Sequence, residues 1–142
     1  MKTRVVLLDD DKSVRLSLKG ILEHWGFEVI ASASPVFCPV FLGEEHQCPV
    51  AYMCADTLLT DINMPDMTGL QFLENQRQKG CKVKYIAVMS GNWKDEEIAH
   101  ASRLSCSMFK KPIDIEKLRE WLNECEKGIN PKRKLSDLPL NK

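Results

Sequence analysis

Apolar and polar positions alternate in blocks along this chain. Val5, Val6, Leu7 and Leu8 form an unbroken apolar run that ends in Asp9, Asp10 and Asp11. A strand buried on both faces reads this way, with its carboxyl end opening into a polar pocket. Val14, Leu18, Ile21, Leu22 and Trp25 then fall on one helical stripe, and Gly26 supplies a left-handed stop. Phe27 to Ala31, Thr57 to Thr60, Tyr85 to Met89 and Ser107 to Lys110 read as four further short strands. Helical spacing recurs over Leu70 to Gln78 and Glu96 to Leu104, and over Ile113 to Glu126, where Ile115, Leu118, Trp121 and Leu122 share a face.

A strand-helix unit repeated in this way predicts an α/β fold with a doubly wound, five-stranded parallel sheet. Parallel neighbours need crossover connections, and the crossover helices cover both faces. Residues 34 to 55 are the least regular, because Pro35, Pro39 and Pro49 interrupt any long helix. One short helix is expected there, near Val40 to His46. Residues 1 to 127 thus form one domain, and Gly128 to Lys142, with Pro131 and Pro139, reads as a basic mobile tail.

Composition narrows the classes. At 142 residues, 44% hydrophobic and 28% charged, the chain suits a single globular core and not a disordered segment. The opening apolar run is too short, and too soon followed by acids, for a signal peptide or membrane span, so a cytoplasmic protein is expected. Twenty Lys and Arg balance twenty Asp and Glu; residues 127 to 142 hold five of the bases and one acid, leaving 15 bases against 19 acids before them. A mildly acidic body gives no pull towards nucleic acid, and the basic end is expected to be solvated. The six cysteines (Cys38, Cys48, Cys54, Cys81, Cys106, Cys125) are expected to be reduced thiols, since no C-x-x-C pair occurs and His24, His46 and His100 are scattered.

In a parallel sheet, ligands sit beyond the carboxyl ends of the strands. That rule gathers Asp9 and Asp10 from the first strand, Asp61 from the third, Ser90 from the fourth and Lys111 from the fifth. Three carboxylates so close would repel and one would take up a proton unless a cation resolved the conflict. Hard oxygen ligands suit Mg²⁺, which typically binds one or two carboxylates and completes its shell with water or phosphate oxygen. The pocket is therefore expected to handle a phosphoryl group.

Four segments carry a resemblance to a known family: Val5-Val6-Leu7-Leu8-Asp9-Asp10-Asp11; Leu59-Thr60-Asp61-Ile62-Asn63-Met64-Pro65-Asp66-Met67-Thr68-Gly69; Val88-Met89-Ser90-Gly91; and Lys111-Pro112. In this order the chain resembles the receiver domain of two-component response regulators, from about Arg4 to Glu126. The resemblance implies a flavodoxin-like (βα)5 fold. It also implies that Asp61 accepts a phosphoryl group from a phosphohistidine on a sensor kinase or histidine phosphotransfer protein. Asp10 and Asp61 would bind Mg²⁺ directly with the backbone carbonyl of Asn63, and Asp9 would act through water. Ser90 would hydrogen-bond a phosphoryl oxygen, Lys111 would neutralise charge, and a cis peptide at Pro112 would aim the lysine inward. Output would pass to a downstream protein through the fourth helix, fifth strand and fifth helix. Beyond slow self-dephosphorylation no enzymatic activity is implied, and no nucleic acid or membrane partner.

The chain departs from that pattern twice. The stretch from Gly26 to Asp61 is longer than the family spacing, which places an insertion at about 34 to 55, where Cys38-Pro39 and Cys48-Pro49 also resemble the Cys-Pro pairs of some haem-responsive proteins. Met108 stands where the family usually has Tyr or Phe; a flexible thioether fits either of two pockets, so the switch there should be softened. Plainer roles remain for the neighbours: Asp11 as a helix cap, Asp66 to Gly69 as a turn, Lys110 as a solvated charge. Two other functions compete. Asp9-x-Asp11-x-Ser13 resembles the nucleophile motif of haloacid-dehalogenase-type phosphatases, though only Asp114 follows Lys111 where those enzymes need an acidic pair. The other competitor is a receiver-like module that docks without phosphorylation.

Overall fold

The computed structural model describes residues 2–34, 53–64 and 67–135. Strands β1 (Arg4–Leu8), β2 (Glu28–Ser32), β3 (Thr57–Asp61), β4 (Tyr85–Ser90) and β5 (Ser107–Lys110) form one parallel sheet in the order β2-β1-β3-β4-β5. Among the described residues the helices are α1 (Lys12–His24), α2 (Gly69–Gln78), α3 (Asp95–Arg103) and α4 (Ile115–Lys127). The short helix expected near Val40 to His46 lies outside the described residues, as do Cys38-Pro39 and Cys48-Pro49. The doubly wound α/β architecture is the one expected.

Alternation along the central strands divides the core in two, since successive side chains leave opposite faces of a sheet. Val6 and Leu8 of β1 join Leu58, Val88, Leu70 and Leu73 on the face covered by α2 and α3. Val5 and Leu7 join Leu59, Met89, Leu18, Leu22, Leu118 and Leu122 on the face covered by α1 and α4. Each such buried leucine contributes about 2 kcal/mol of transfer free energy. β5, at the edge, alternates half-buried and exposed positions, and Met108 is 40% exposed.

The helix ends explain the small shifts from the expected boundaries. Asp11 caps α1 as expected, its side chain accepting from the backbone N–H groups of Ser13 and Val14. After α1, Gly26 at φ +96 lets its own N–H reach Glu23 O and lets Phe27 N–H reach Leu22 O. This paired stop claims Phe27 for the helix terminus, so β2 starts at Glu28 and not at Phe27. The same device ends α2 with Gly80 at φ +78, and α3 with Ser105 at φ 57.

Beyond α4 the chain enters the stretch expected as a basic tail. Residues 128–135 return to the amino-terminal edge of the sheet, where Leu135 bridges to Met53 and the Arg133 side chain donates to Asp56 and to the Lys2 carbonyl. A buried carboxylate recruits this segment, which composition alone presents as solvated charge. Residues 136–142 lie outside the described residues.

Candidate functional site

Parallel register brings the expected residues together. Leu8 pairs with Thr60, Asp61 with Met89 and Ser90 with Lys110, so Asp9, Asp61, Ser90 and Lys111 stand at one edge of the sheet. Ligand oxygens of Asp9, Asp10 and Asp61 all lie within 4.8 Å of one another. Asp9 and Asp61 are buried and Asp10 is exposed, so the cluster has a closed floor and an open rim. The Lys111 peptide to Pro112 is cis, and the Lys111 ammonium sits 2.8 Å from Asp9 Oδ2 and 3.3 Å from Asp61 Oδ2. Lys110, as expected, is exposed.

Backbone contacts hold each group in place. Asp9 N–H donates to Ser32 O, its carbonyl accepts from the Arg15 guanidinium at 2.8 Å, and its Oδ1 accepts from Asp11 N–H at 2.9 Å. Ser90 is buried; its Oγ accepts from Asn92 N–H at 3.2 Å, and its carbonyl accepts from Lys111 N–H at 2.8 Å. Asn63 is exposed and its backbone N–H bonds to the Asp61 side chain. Met108 lies on β5 opposite Val88, its side chain turned partly to solvent.

The electrostatics agree with a pocket short of positive charge. Burial, then the nearby Asp9 charge, raises the Asp61 carboxyl above its ordinary range, against the opposing pull of Lys111 and the Asn63 N–H. Burial alone would lower the Lys111 ammonium, but its bond to Asp9 and the charges of Asp61 and Asp9 prevail and raise it. Among the described residues, one lysine is set against three carboxylates. An all-oxygen donor set with an open rim fits a hard divalent cation such as Mg²⁺.

Asp9 makes a poor phosphatase nucleophile. Its side chain is 0% exposed and both oxygens are engaged, Oδ1 by Asp11 N–H and Oδ2 by Lys111. The haloacid-dehalogenase reading therefore loses the residue it needs.

Two residues that support the site were not read as such. Gly69, expected as part of a turn, is the first residue of α2; a Cβ there would run into the Asp61 backbone carbonyl, and its N–H donates to Ile62 O at 2.7 Å. A glycine at a helix start next to a buried strand end is the signal that was available. Trp93 donates its indole N–H to the Phe109 carbonyl at 2.9 Å, a contact with no local sequence signature.

Known proteins resemble the chain throughout this framework. The model of the response regulator receiver domain matches residues 5–123. The chemotaxis protein CheY of Bacillus subtilis is 26% identical over 124 residues, covering 87% of this chain and 98% of that protein. Protein-glutamate methylesterase/protein-glutamine glutaminase 4 of Geobacter metallireducens is 38% identical over 101 residues, covering 70% of this chain and only 26% of that protein. A response regulator receiver protein from Pseudomonas putida superposes with a TM-score of 0.73 at 22% identity, covering 87% of this chain and 98% of that one, a likeness of fold. Among the described residues no helix is long and apolar enough to cross a membrane.

Proposed function

The chain belongs to the response regulator receiver domain family, and from that premise we propose that Asp61 accepts a phosphoryl group from a phosphohistidine in a two-component or phosphorelay pathway. The observation that carries this reading is the placement of the Asp61 carboxylate, within 4.8 Å of Asp9 and Asp10 and 3.3 Å from the Lys111 ammonium. Kinase or histidine phosphotransfer protein would be the donor, and a downstream protein the recipient of the signal. The hydrolytic activity of the Geobacter relative belongs to that longer protein, of which this chain spans about a quarter. This chain acts as a phospho-acceptor.

In the transfer, an Asp61 oxygen forms a bond to phosphorus as the bond to the donor imidazole nitrogen breaks in line, and the imidazole leaves with that electron pair and regains its proton. Lys111 stabilises negative charge on the transferring group, and Asp9 holds the lysine in place. Ser90 donates its hydroxyl hydrogen to a phosphoryl oxygen. Asp10, Asp61 and the Asn63 carbonyl would hold Mg²⁺, with Asp9 acting through water. Once bound, the ion would supply positive charge against the phosphoryl oxygens. The signal would then reach the face made by α3, β5 and α4, where Ile98 (39% exposed) and Met108 present apolar surface.

Incubation with acetyl phosphate and Mg²⁺ followed by intact mass tests the reading. One hydroxylamine-labile phosphoryl group is expected on the natural chain, none on Asp61→Asn, and none on the natural chain when EDTA replaces Mg²⁺. Equal uptake by a folded Asp61→Asn protein would overturn it.

A further inference from the structure

A short chain of contacts joins the carboxylate pocket to the edge strand. Ser90 Oγ holds the Asn92 N–H at 3.2 Å, and the next residue, Trp93, donates its indole N–H to the Phe109 carbonyl at 2.9 Å. Loop 91–94 runs from the end of β4 to the start of α3, so Ser90 and Phe109 are two anchors on one short span. The Trp93 ring packs against the core cluster that includes Val88, Ala101 and Cys106. It also lines a groove with Ile98, Met108 and Phe109.

We propose that Trp93 is a positioning residue that carries the state of Ser90 to β5: its indole is latched to Phe109 while Asp61 is unmodified and released when Asp61 carries a phosphoryl group. This rests on the phospho-acceptor reading of Asp61. A hydroxyl has one hydrogen to donate, and a phosphoryl oxygen is a stronger, charged acceptor for it than any neutral group in the pocket. Turning towards Asp61 moves Ser90 Oγ, and with it the acceptor that fixes Asn92 N–H. Hydrogen bonds weaken steeply with distance and angle, so a shift of the 92–93 peptide is felt at the indole. Met108, 40% exposed on β5, has no polar group with which to register such a change, whereas the indole does. Release of Trp93 would reshape the groove between α3 and β5, on the face where Ile98 and Met108 are exposed.

The test follows the indole Nε1–H resonances of the full chain, with and without beryllofluoride and Mg²⁺, using Trp93→Phe to identify the Trp93 peak. The Trp93 resonance is expected to shift and its exchange with solvent to accelerate roughly tenfold as the bond opens. Trp93→Phe should still take up one phosphoryl group from acetyl phosphate by mass. It should also lose most of the beryllofluoride-induced amide shift over residues 107–110, which an indole acting only as structural filler would not affect. An unmoved Trp93 resonance beside a complete adduct would overturn the proposal while leaving the phospho-acceptor reading intact. Wild-type amide shifts in Trp93→Phe would do the same. Failure of the natural chain to form any adduct would overturn that reading, and this proposal with it.

Discussion

Arg133 and Asp56 are 77 positions apart and meet at the edge of the sheet opposite the carboxylate pocket, with Arg133 Nε 2.7 Å from Asp56 Oδ1. The Asp56 side chain is 0% exposed and also accepts the Arg4 backbone N–H at 2.8 Å. The contact ties the carboxy-terminal segment to the lead-in of β3 and, through the Lys2 carbonyl, to the start of β1.

Arg133→Met should therefore destabilise the domain by roughly 2 to 4 kcal/mol, because it leaves a buried carboxylate without its counter-charge. Asp56→Asn in the same background should recover part of that loss by removing the uncompensated charge. Urea unfolding of the three proteins measures both, and an Arg133→Met midpoint equal to that of the natural chain would refute the clamp.

Gly69→Ala should lower stability by about 2 kcal/mol and slow phosphoryl uptake, since the added methyl would displace the Asp61 backbone. Gly20 provides the contrast. It lies exposed within α1 with nothing within 4 Å of a built Cβ, so Gly20→Ala should stabilise by about 0.5 to 1 kcal/mol and leave uptake unchanged. Urea midpoints and the time course of intact mass separate the two effects.

Burial pushes the Cys125 thiol up from its ordinary 9.0 to about 12, against a weaker backbone hydrogen bond and with help from Glu126 and Glu124. Between these values the unfolded chain gives up the proton and the folded chain keeps it, so this thiol's contribution to stability is complete below pH 9 and fades towards pH 12. By pH 10.5 the natural chain should have lost on the order of 2 kcal/mol more than Cys125→Ala, relative to pH 8. Equal losses in urea titrations at the two pH values would show that Cys125 does not control this window.

Much of this architecture was legible because a doubly wound sheet leaves so little freedom. Val5 to Leu8 and Thr57 to Thr60 are buried on both faces, so the first had to be an unbroken apolar run and the second keeps Leu58 and Leu59 between two threonines. Once they pair in parallel, the residues after them must share one edge, which is why the sequence alone groups Asp9, Asp61, Ser90 and Lys111. What escaped were contacts with no local pattern. Phe27 is as apolar as a strand residue, and only the hydrogen bond to Leu22 O assigns it to the helix stop. Arg133 reads as a solvated base and Asp56 carries no signal of its own, because nothing in either neighbourhood encodes a partner 77 positions away. The Trp93 latch is hidden for the same reason.

Met108 marks how firmly the two states of the output face should be separated. Its thioether packs tolerably whether turned inward or out, and a ligand can shift an equilibrium only by the difference in stabilisation that it creates between the states. Met108→Ala should therefore leave the beryllofluoride-induced amide shifts over residues 107–110 close to those of the natural chain. Met108→Tyr should enlarge them, because a phenol hydroxyl needs a hydrogen-bond partner when buried and so distinguishes an inward from an outward position. Spectra of the three proteins with and without beryllofluoride decide the matter. A response abolished by Met108→Ala would make this side chain the principal switch, and shifts confined to the Asp61 pocket in all three, with none at Met108, Phe109 or Trp121, would mean that the face of α3, β5 and α4 is not the output surface.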